Sequence, residues 1–453
     1  MALSPARKLG YGAADIGASL SFVAVNTWLF YFLVNIVKLE PFVAGLVFIL
    51  GRVFDAVLDP VMGVISDRLK PRFGRKRFML YGAVPLGLVF ALMWFVPSGS
   101  ALFKAGFALI MFMLFSFAYT VVQVPYMALT PELAPDYDER TSLTSYRMGF
   151  GTFASLVAVA VPPLIISAIS GGEELVRSTP GSWLLMGIIF GLIVALAYLL
   201  AAASIQEPKA AAAPPFKTSF FSEYRSAFSI HGFASIFSLF VVITIGLMIL
   251  NSILPFFLES NLRLASTQQS VVLGTLFGVA ILSLPLWIYL SSRLGKRESL
   301  AIGLAMLASG SVLLVAFSPA SALSSYLMIT TVLAGVGLSA VIMLPWAMLP
   351  DVVEFDEAVT GRRREGLVYA LFTFGQKLAG SLGVFANAIV ASVFAYQQGS
   401  AEQAPETLRA IAMMAGPVAA AVFATAIILS LRFPITRASF DEVRQKLKPF
   451  TSY

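Results

Sequence analysis

Uncharged apolar stretches long enough to cross a lipid bilayer recur along the whole chain, and no other feature limits its possible folds as strongly. A bilayer core of about 30 Å needs about 20 apolar residues in a helix. Trp183–Ala203, Leu239–Phe257, Leu327–Leu349 and Ile411–Leu431 all meet that length. One large soluble helical protein would need a polar face on most of these helices, and they have none. Composition points the same way, since only 12% of the residues are charged and 58% are hydrophobic. Soluble domains carry about 25% charged residues because their surface must face water. With a mean hydropathy of +0.86, this chain needs lipid as the solvent for its exterior.

Using the span length as a ruler predicts twelve helices, at 10–36, 41–66, 77–97, 101–130, 142–169, 181–204, 230–259, 267–290, 297–317, 323–349, 365–396 and 407–432. The loops between them alternate in charge. Asp67–Arg77, Arg293–Arg297, Arg362–Arg364 and a tail with Arg432, Arg437, Arg444, Lys446 and Lys448 are strongly basic. Pro97–Ser100, Ser170–Gly181, Ser260–Ser270, Ser318–Ser325 and Tyr396–Glu406 are nearly free of Lys and Arg. Positive loops stay in the cytoplasm, which predicts a multi-pass protein of the plasma membrane with both termini cytoplasmic.

Several classes drop out. Without cysteine there is no disulfide framework, thiol nucleophile or thiolate metal site. The single histidine, His231, stands near a helix start and reads as interfacial rather than as a ligand. The first residues show no removable signal peptide. The net charge of +7 lies in short loops between apolar runs, which fits membrane topology and argues against a nucleic-acid partner.

The segment Glu207–Phe216 is rich in alanine and proline and reads as a linker that divides the helices six and six. The expected domains are a bundle over 1–204, a cytoplasmic linker over 205–229, a second bundle over 230–432 and a cytoplasmic tail over 433–453. Equal halves invite a search for a repeat. Pro125-Tyr-Met-Ala-Leu-Thr-Pro-Glu132 in the fourth helix matches Pro345-Trp-Ala-Met-Leu-Pro-Asp351 in the tenth, and Asp67–Arg77 after helix two echoes Arg293–Arg297 after helix eight. The loop Gly63-Val-Ile-Ser-Asp67-Arg68…Gly74-Arg75-Lys76-Arg77 resembles the loop signature of major facilitator transporters. The glycine permits close helix approach, and Asp67 can bond a neighbouring helix N-terminus. The fold expected is therefore an all-α membrane protein of the major facilitator type, with twelve transmembrane helices in two six-helix bundles.

Helix two carries the strongest chemistry, in Arg52-Val-Phe-Asp55-Ala-Val-Leu-Asp59-Pro60. Residues at i and i+4 share a helix face. A carboxylate within a span is costly unless it is paired or hydrated. Arg52 can neutralise part of this charge, and the remainder invites a proton on one carboxylate or an alkali ion bridging both. The structural alternative is an internal ion-pair network that holds the helices together. Lys377, deep in helix eleven, could pair with these carboxylates or bind an anionic group of a substrate. Arg147 in helix five and Asp15 in helix one are further intramembrane charges, open to a packing or a functional role.

Together with Lys8–Gly12, Thr120, Pro125 and Ser145–Arg147, these residues resemble the glycoside–pentoside–hexuronide:cation symporter family over nearly the whole chain. The resemblance implies a sodium or proton site at Asp55, Asp59 and Thr120. It also implies a charge and gating network that includes Arg52, Asp67, Arg147 and Asp351. Substrate contacts are implied for Ser19, Gln123, Tyr126, Trp346 and Lys377. Where the melibiose permease of that family holds sugar hydroxyls with aspartates, this chain has Ser19 and Gln123, and it has Ala18 in place of a lysine. Neutral groups bond hydroxyls without charge assistance. Leu344–Asp351, Trp94–Pro97 and Thr144–Met148 are more similar to the animal sodium-dependent lysophosphatidylcholine symporters, in which the counterpart of Lys377 approaches the phosphate. Phe240, Phe256, Phe257, Phe372 and Phe374 are expected near the cavity.

The function expected is secondary active symport, not an enzyme activity, coupled to Na+ or H+ with no further cofactor. The partners expected are a small-molecule or lipid substrate and membrane lipids, with the protein acting as a monomer. A cation-independent uniporter or exchanger would leave the helix-two carboxylates without a task. An intramembrane prenyltransferase would need a second Asp-x-x-x-Asp motif, and no predicted span contains one.

Overall fold

A computed structural model describes residues 3–134, 136–171, 174–207, 228, 230, 232–316, 324–360, 365–400 and 402–435. Helices occupy every expected position among these residues. They are α1 (Pro5–Ile36), α2 (Pro41–Phe73), α3 (Arg75–Leu92), α4 (Ala101–Leu133), α5 (Glu139–Ser170) and α6 (Pro180–Ser204). The series continues with α7 (Phe233–Asn261), α8 (Ser266–Leu282 and Leu284–Leu294), α9 (Lys296–Val315), α10 (Ser325–Thr360), α11 (Glu365–Val393) and α12 (Pro405–Leu431). Nine of them are long and apolar enough to cross a membrane, and the bent pair in α8 makes ten. The other two, α3 and α11, are less apolar. Arg75, Lys76 and Arg77 fill the first turn of α3, and Gln376, Lys377 and Asn387 lie within α11. His231, Arg362–Arg364, the linker from 208 to 216 and the basic tail beyond Ile435 lie outside the described residues.

Helices α2, α4 and α10 run further than the span ruler predicts, because the apolar stretch measures the membrane while the helix continues into water. The basic segment after helix two is accordingly helical up to Phe73 and breaks only at Gly74, whose φ of 75° lies in the left-handed region that favours glycine. Its echo in the second half breaks the same way at Gly295, with φ 103°. Proline explains other interruptions. α5 breaks at Val161 before Pro162, α8 bends by 44° near Pro285, and α12 widens into a π turn around Pro417.

α6 shows how one sequence serves two solvents. Leu192, Leu196 and Leu200 project from one face and are 60%, 56% and 60% exposed, while Met186, Phe190, Val194 and Tyr198 on the other face are buried. In water that leucine stripe would drive aggregation, whereas in lipid it costs nothing. Lipid tails are as apolar as leucine, so helices associate through close packing rather than hydrophobic expulsion. Gly87 of α3 and Gly191 of α6 supply such packing, since a Cβ on either would collide with the other's carbonyl oxygen.

The chain divides into two compact units. The first comprises 1–214, 254–274 and 384–410, and the second 215–253, 275–383 and 411–453.

Candidate functional site

The first unit buries a charged constellation between α1, α2 and α4. Asp55 is 3% exposed and accepts a hydrogen bond from Arg52 Nη1 at 3.2 Å. The other Arg52 amino group, Nη2, donates to Asn26 Oδ1 of α1. The guanidinium lies 5.0 Å from the centroid of Phe22 and 5.4 Å from that of Phe112, close enough for favourable cation–ring contact. Arg52 is thus clamped on several sides, and its charge is directed at Asp55. One turn further on, Asp59 Oδ1 accepts a hydrogen bond at 3.0 Å from the hydroxyl of Thr120, a buried residue of α4. The structure therefore joins Thr120 to Asp59 and Arg52 to Asp55, side by side on α2. Two carboxylates, one matched by a guanidinium and the other by a neutral hydroxyl, form an oxygen-rich group suited to a hard monovalent cation or a proton.

A second network lies in the same unit. Arg147 Nε donates to Asp15 Oδ2 at 2.7 Å and to the Tyr126 hydroxyl at 2.9 Å, and Nη1 donates to Thr130 at 2.7 Å. The Tyr126 hydroxyl donates in turn to Asp15 at 2.5 Å, and the Tyr11 hydroxyl to the Tyr126 carbonyl at 2.6 Å. Gln123 Oε1 accepts from Tyr198 at 2.6 Å, and an added Cβ on Gly151 would come within 2.9 Å of the Ser19 hydroxyl.

The repeated basic and acidic motifs form equivalent contacts in each half. Arg75, just after Gly74, donates to the Ala128 carbonyl at 3.2 Å and pairs with Glu132 and Asp67. Lys296, just after Gly295, donates to the Ala347 carbonyl at 2.9 Å and to both Asp351 oxygens at 2.7 Å. In both halves the cation bonds the acid of the Pro-acid step and the carbonyl four residues before it. Glu207 caps α3 by accepting from the Arg75 and Lys76 amides at 2.7 and 3.1 Å, where the helix dipole favours an anion.

In the second unit, Trp346 meets Phe240 and Phe372 edge-on at 5.5 and 5.2 Å, and those two rings stack at 3.7 Å. Lys377 is half-buried in α11 of this unit, whereas Asp55 and Asp59 belong to the first. Of the other expected phenylalanines, Phe256 packs in the first unit against Phe30, Tyr31 and Tyr396. Asn26 escaped the sequence reading, because an amide carries no spacing signal of its own, and Thr130 and Glu132 enter that reading only as part of the repeated motif.

The family described as MFS/sugar transport protein matches residues 10–437. The chain belongs to this family. An uncharacterized symporter of Bacillus subtilis, YnaJ, is 31% identical, the match covering 90% of this chain and 87% of that protein. The sodium-dependent lysophosphatidylcholine symporter 1-A of Danio rerio is 24% identical over 98% and 87% of the two chains. The isoprimeverose transporter of Lactiplantibacillus pentosus is 24% identical over 90% and 84%. Among solved structures, that of a point mutant of the nucleoside transporter NupG superposes with a TM-score of 0.70, covering 94% of this chain and all of that one at 13% identity. The family member is thus a multi-pass membrane transporter with the major facilitator fold, a secondary transporter and not an enzyme.

Proposed function

We propose that the protein is a cation-coupled symporter working by alternating access, with Asp55, Asp59 and Thr120 holding a sodium ion or a proton. The observation that carries this reading is the Thr120–Asp59 hydrogen bond beside an Asp55 already matched by Arg52. A bound cation adds positive charge beside the two carboxylates, and each ligand then strengthens the binding of the other by one shared free energy. Tyr126, Arg147 and Asp15 brace the first unit, while Asp67 and Asp351 tie the cytoplasmic helix ends.

For the substrate, a lysophospholipid-like amphiphile is our first choice. Trp346, half-buried against the packed Phe240–Phe372 pair, offers apolar surface, Lys377 suits an anionic head group, and the zebrafish relative is named for such a lipid. A glycoside is the second reading, favoured by hydroxyl-bonding Ser19 and Gln123 and by the isoprimeverose relative. Both termini are assigned to the cytoplasm and the working unit to a monomer.

The test is transport current from proteoliposomes on a solid-supported membrane. Lysophospholipids and glycosides are applied with and without sodium and at two pH values. A cation-dependent current with one class, lost in Asp59→Asn, is the expected result. Undiminished gradient-driven uptake by Asp59→Asn would remove the cation site, and cation-independent flux would make the protein a uniporter or exchanger.

A further inference from the structure

One buried acid takes no part in the site above. Glu259, at the end of α7, is 5% exposed. It accepts a hydrogen bond from the Val176 amide at 2.8 Å and another from the Tyr31 hydroxyl. Both donors are neutral, and among the described residues no Lys or Arg side chain pairs with it. The charged or titratable groups facing it are Tyr31 from α1, Tyr396 from the end of α11, and Glu174 from the segment between α5 and α6. Glu174 is ion-paired with the exposed Arg177 at 3.0 Å.

These contacts come from separate elements that meet within the first unit, on the face where α1, α7 and α11 end. Tyr31 stacks on Trp183 at 6.0 Å and meets Phe256 at 5.1 Å, and Phe256 meets Tyr396 at 5.3 Å. The Tyr396 hydroxyl and the Gly399 amide both donate to Asn35 Oδ1, at 3.0 and 3.3 Å. The result is an aromatic plug threaded by a few polar bonds, with Glu259 at its centre.

We propose that Glu259 is a proton-binding site of this gate, taking up one proton from the adjoining solution as the helix ends close and releasing it there when they part. This rests on the alternating-access reading. An ionised carboxylate removed from water and met only by neutral donors carries a desolvation cost that those hydrogen bonds offset only in part. A proton removes that cost. Once the helix ends separate, water solvates the carboxylate and the need for the proton disappears. The closed form therefore holds one more proton than the open form, and acid on this side favours closure while alkali favours opening.

The absence of native cysteine makes a clean test available. Val176→Cys places a single thiol at a buried position of the gate. Its reaction with an impermeant maleimide, in the full-length protein reconstituted into liposomes, reports opening. The rate is measured with Glu259 present and in a Glu259→Gln background, and the ratio of the two cancels the ionisation of the thiol itself. The ratio should stay near one in acid and rise roughly tenfold or more between about pH 5.5 and about pH 8.5, a range that brackets shifted carboxyl groups. A ratio that stays constant overturns the proposal, and so does one that follows sodium rather than pH. If Glu259→Gln does not fold, Tyr31→Phe serves instead. Loss of that donor destabilises the carboxylate, so the midpoint of the labelling profile should move to higher pH, and an unmoved midpoint refutes the site. The assay uses no substrate and leaves Asp55 and Asp59 intact. A negative result retires Glu259 alone, whereas failure of the symport reading appears in the uptake of Asp59→Asn.

Discussion

Replacing Thr120 with valine isolates the contact on which the cation site rests. Valine has nearly the shape of threonine, so the packing of α4 on α2 is kept while the hydroxyl that donates to Asp59 at 3.0 Å is lost. A hydrogen bond to a charged group contributes about 1.5–3 kcal/mol. Taken as the strength of the hydroxyl oxygen's bond to a sodium ion at this site, and at about 1.4 kcal/mol per tenfold, that corresponds to roughly a 10- to 100-fold weaker apparent sodium affinity. The assay is the half-saturating cation concentration for transport current at fixed substrate, with thermal melting to confirm that the variant is folded. Thr120→Ser keeps the hydroxyl and should stay within about threefold of the native value, by the same conversion. If Thr120→Val melts like the native protein and its half-saturating concentration moves less than about twofold, the hydroxyl is no part of the cation site and the reasoning fails.

Two further outcomes follow from the packing. Arg52→Gln removes the guanidinium paired with the buried Asp55 and should destabilise the fold by up to about 3–5 kcal/mol, while the double variant with Asp55→Asn recovers most of that loss. Thermal unfolding of the single and double variants checks it, and independent, additive losses would refute the pairing. Gly191→Leu forces a side chain into the Gly87 carbonyl where α3 crosses α6. It should abolish the monodisperse elution of the purified protein, whereas Leu192→Ala on the exposed face should not.

Much of the fold was legible in the sequence because the cost of exposing backbone and charge to lipid is local and additive along a span. Hydropathy located helices at every expected position, and the halves could be aligned through Pro125–Glu132 and Pro345–Asp351. The extensions of α2, α4 and α10 beyond their apolar stretches were not legible, because a span ruler stops at the membrane while a helix does not. Part of the site was legible too. The four-residue spacing of Asp55 and Asp59 is a property of one helix, so α2 alone determines that they share a face.

Tertiary structure decided which partner each charge would meet. Arg52 reaches Asn26 across 26 residues of sequence, Thr120 reaches Asp59 across 61, and Tyr31 reaches Glu259 across 228. Helix periodicity cannot choose among such partners. The choice depends on which faces of separate helices come together and on where small residues let backbones approach. For Glu259 the difference is complete: in the sequence it is an acid at the end of an apolar run, and only the packing of separate elements around it makes it a buried carboxyl that no Lys or Arg pairs with among the described residues.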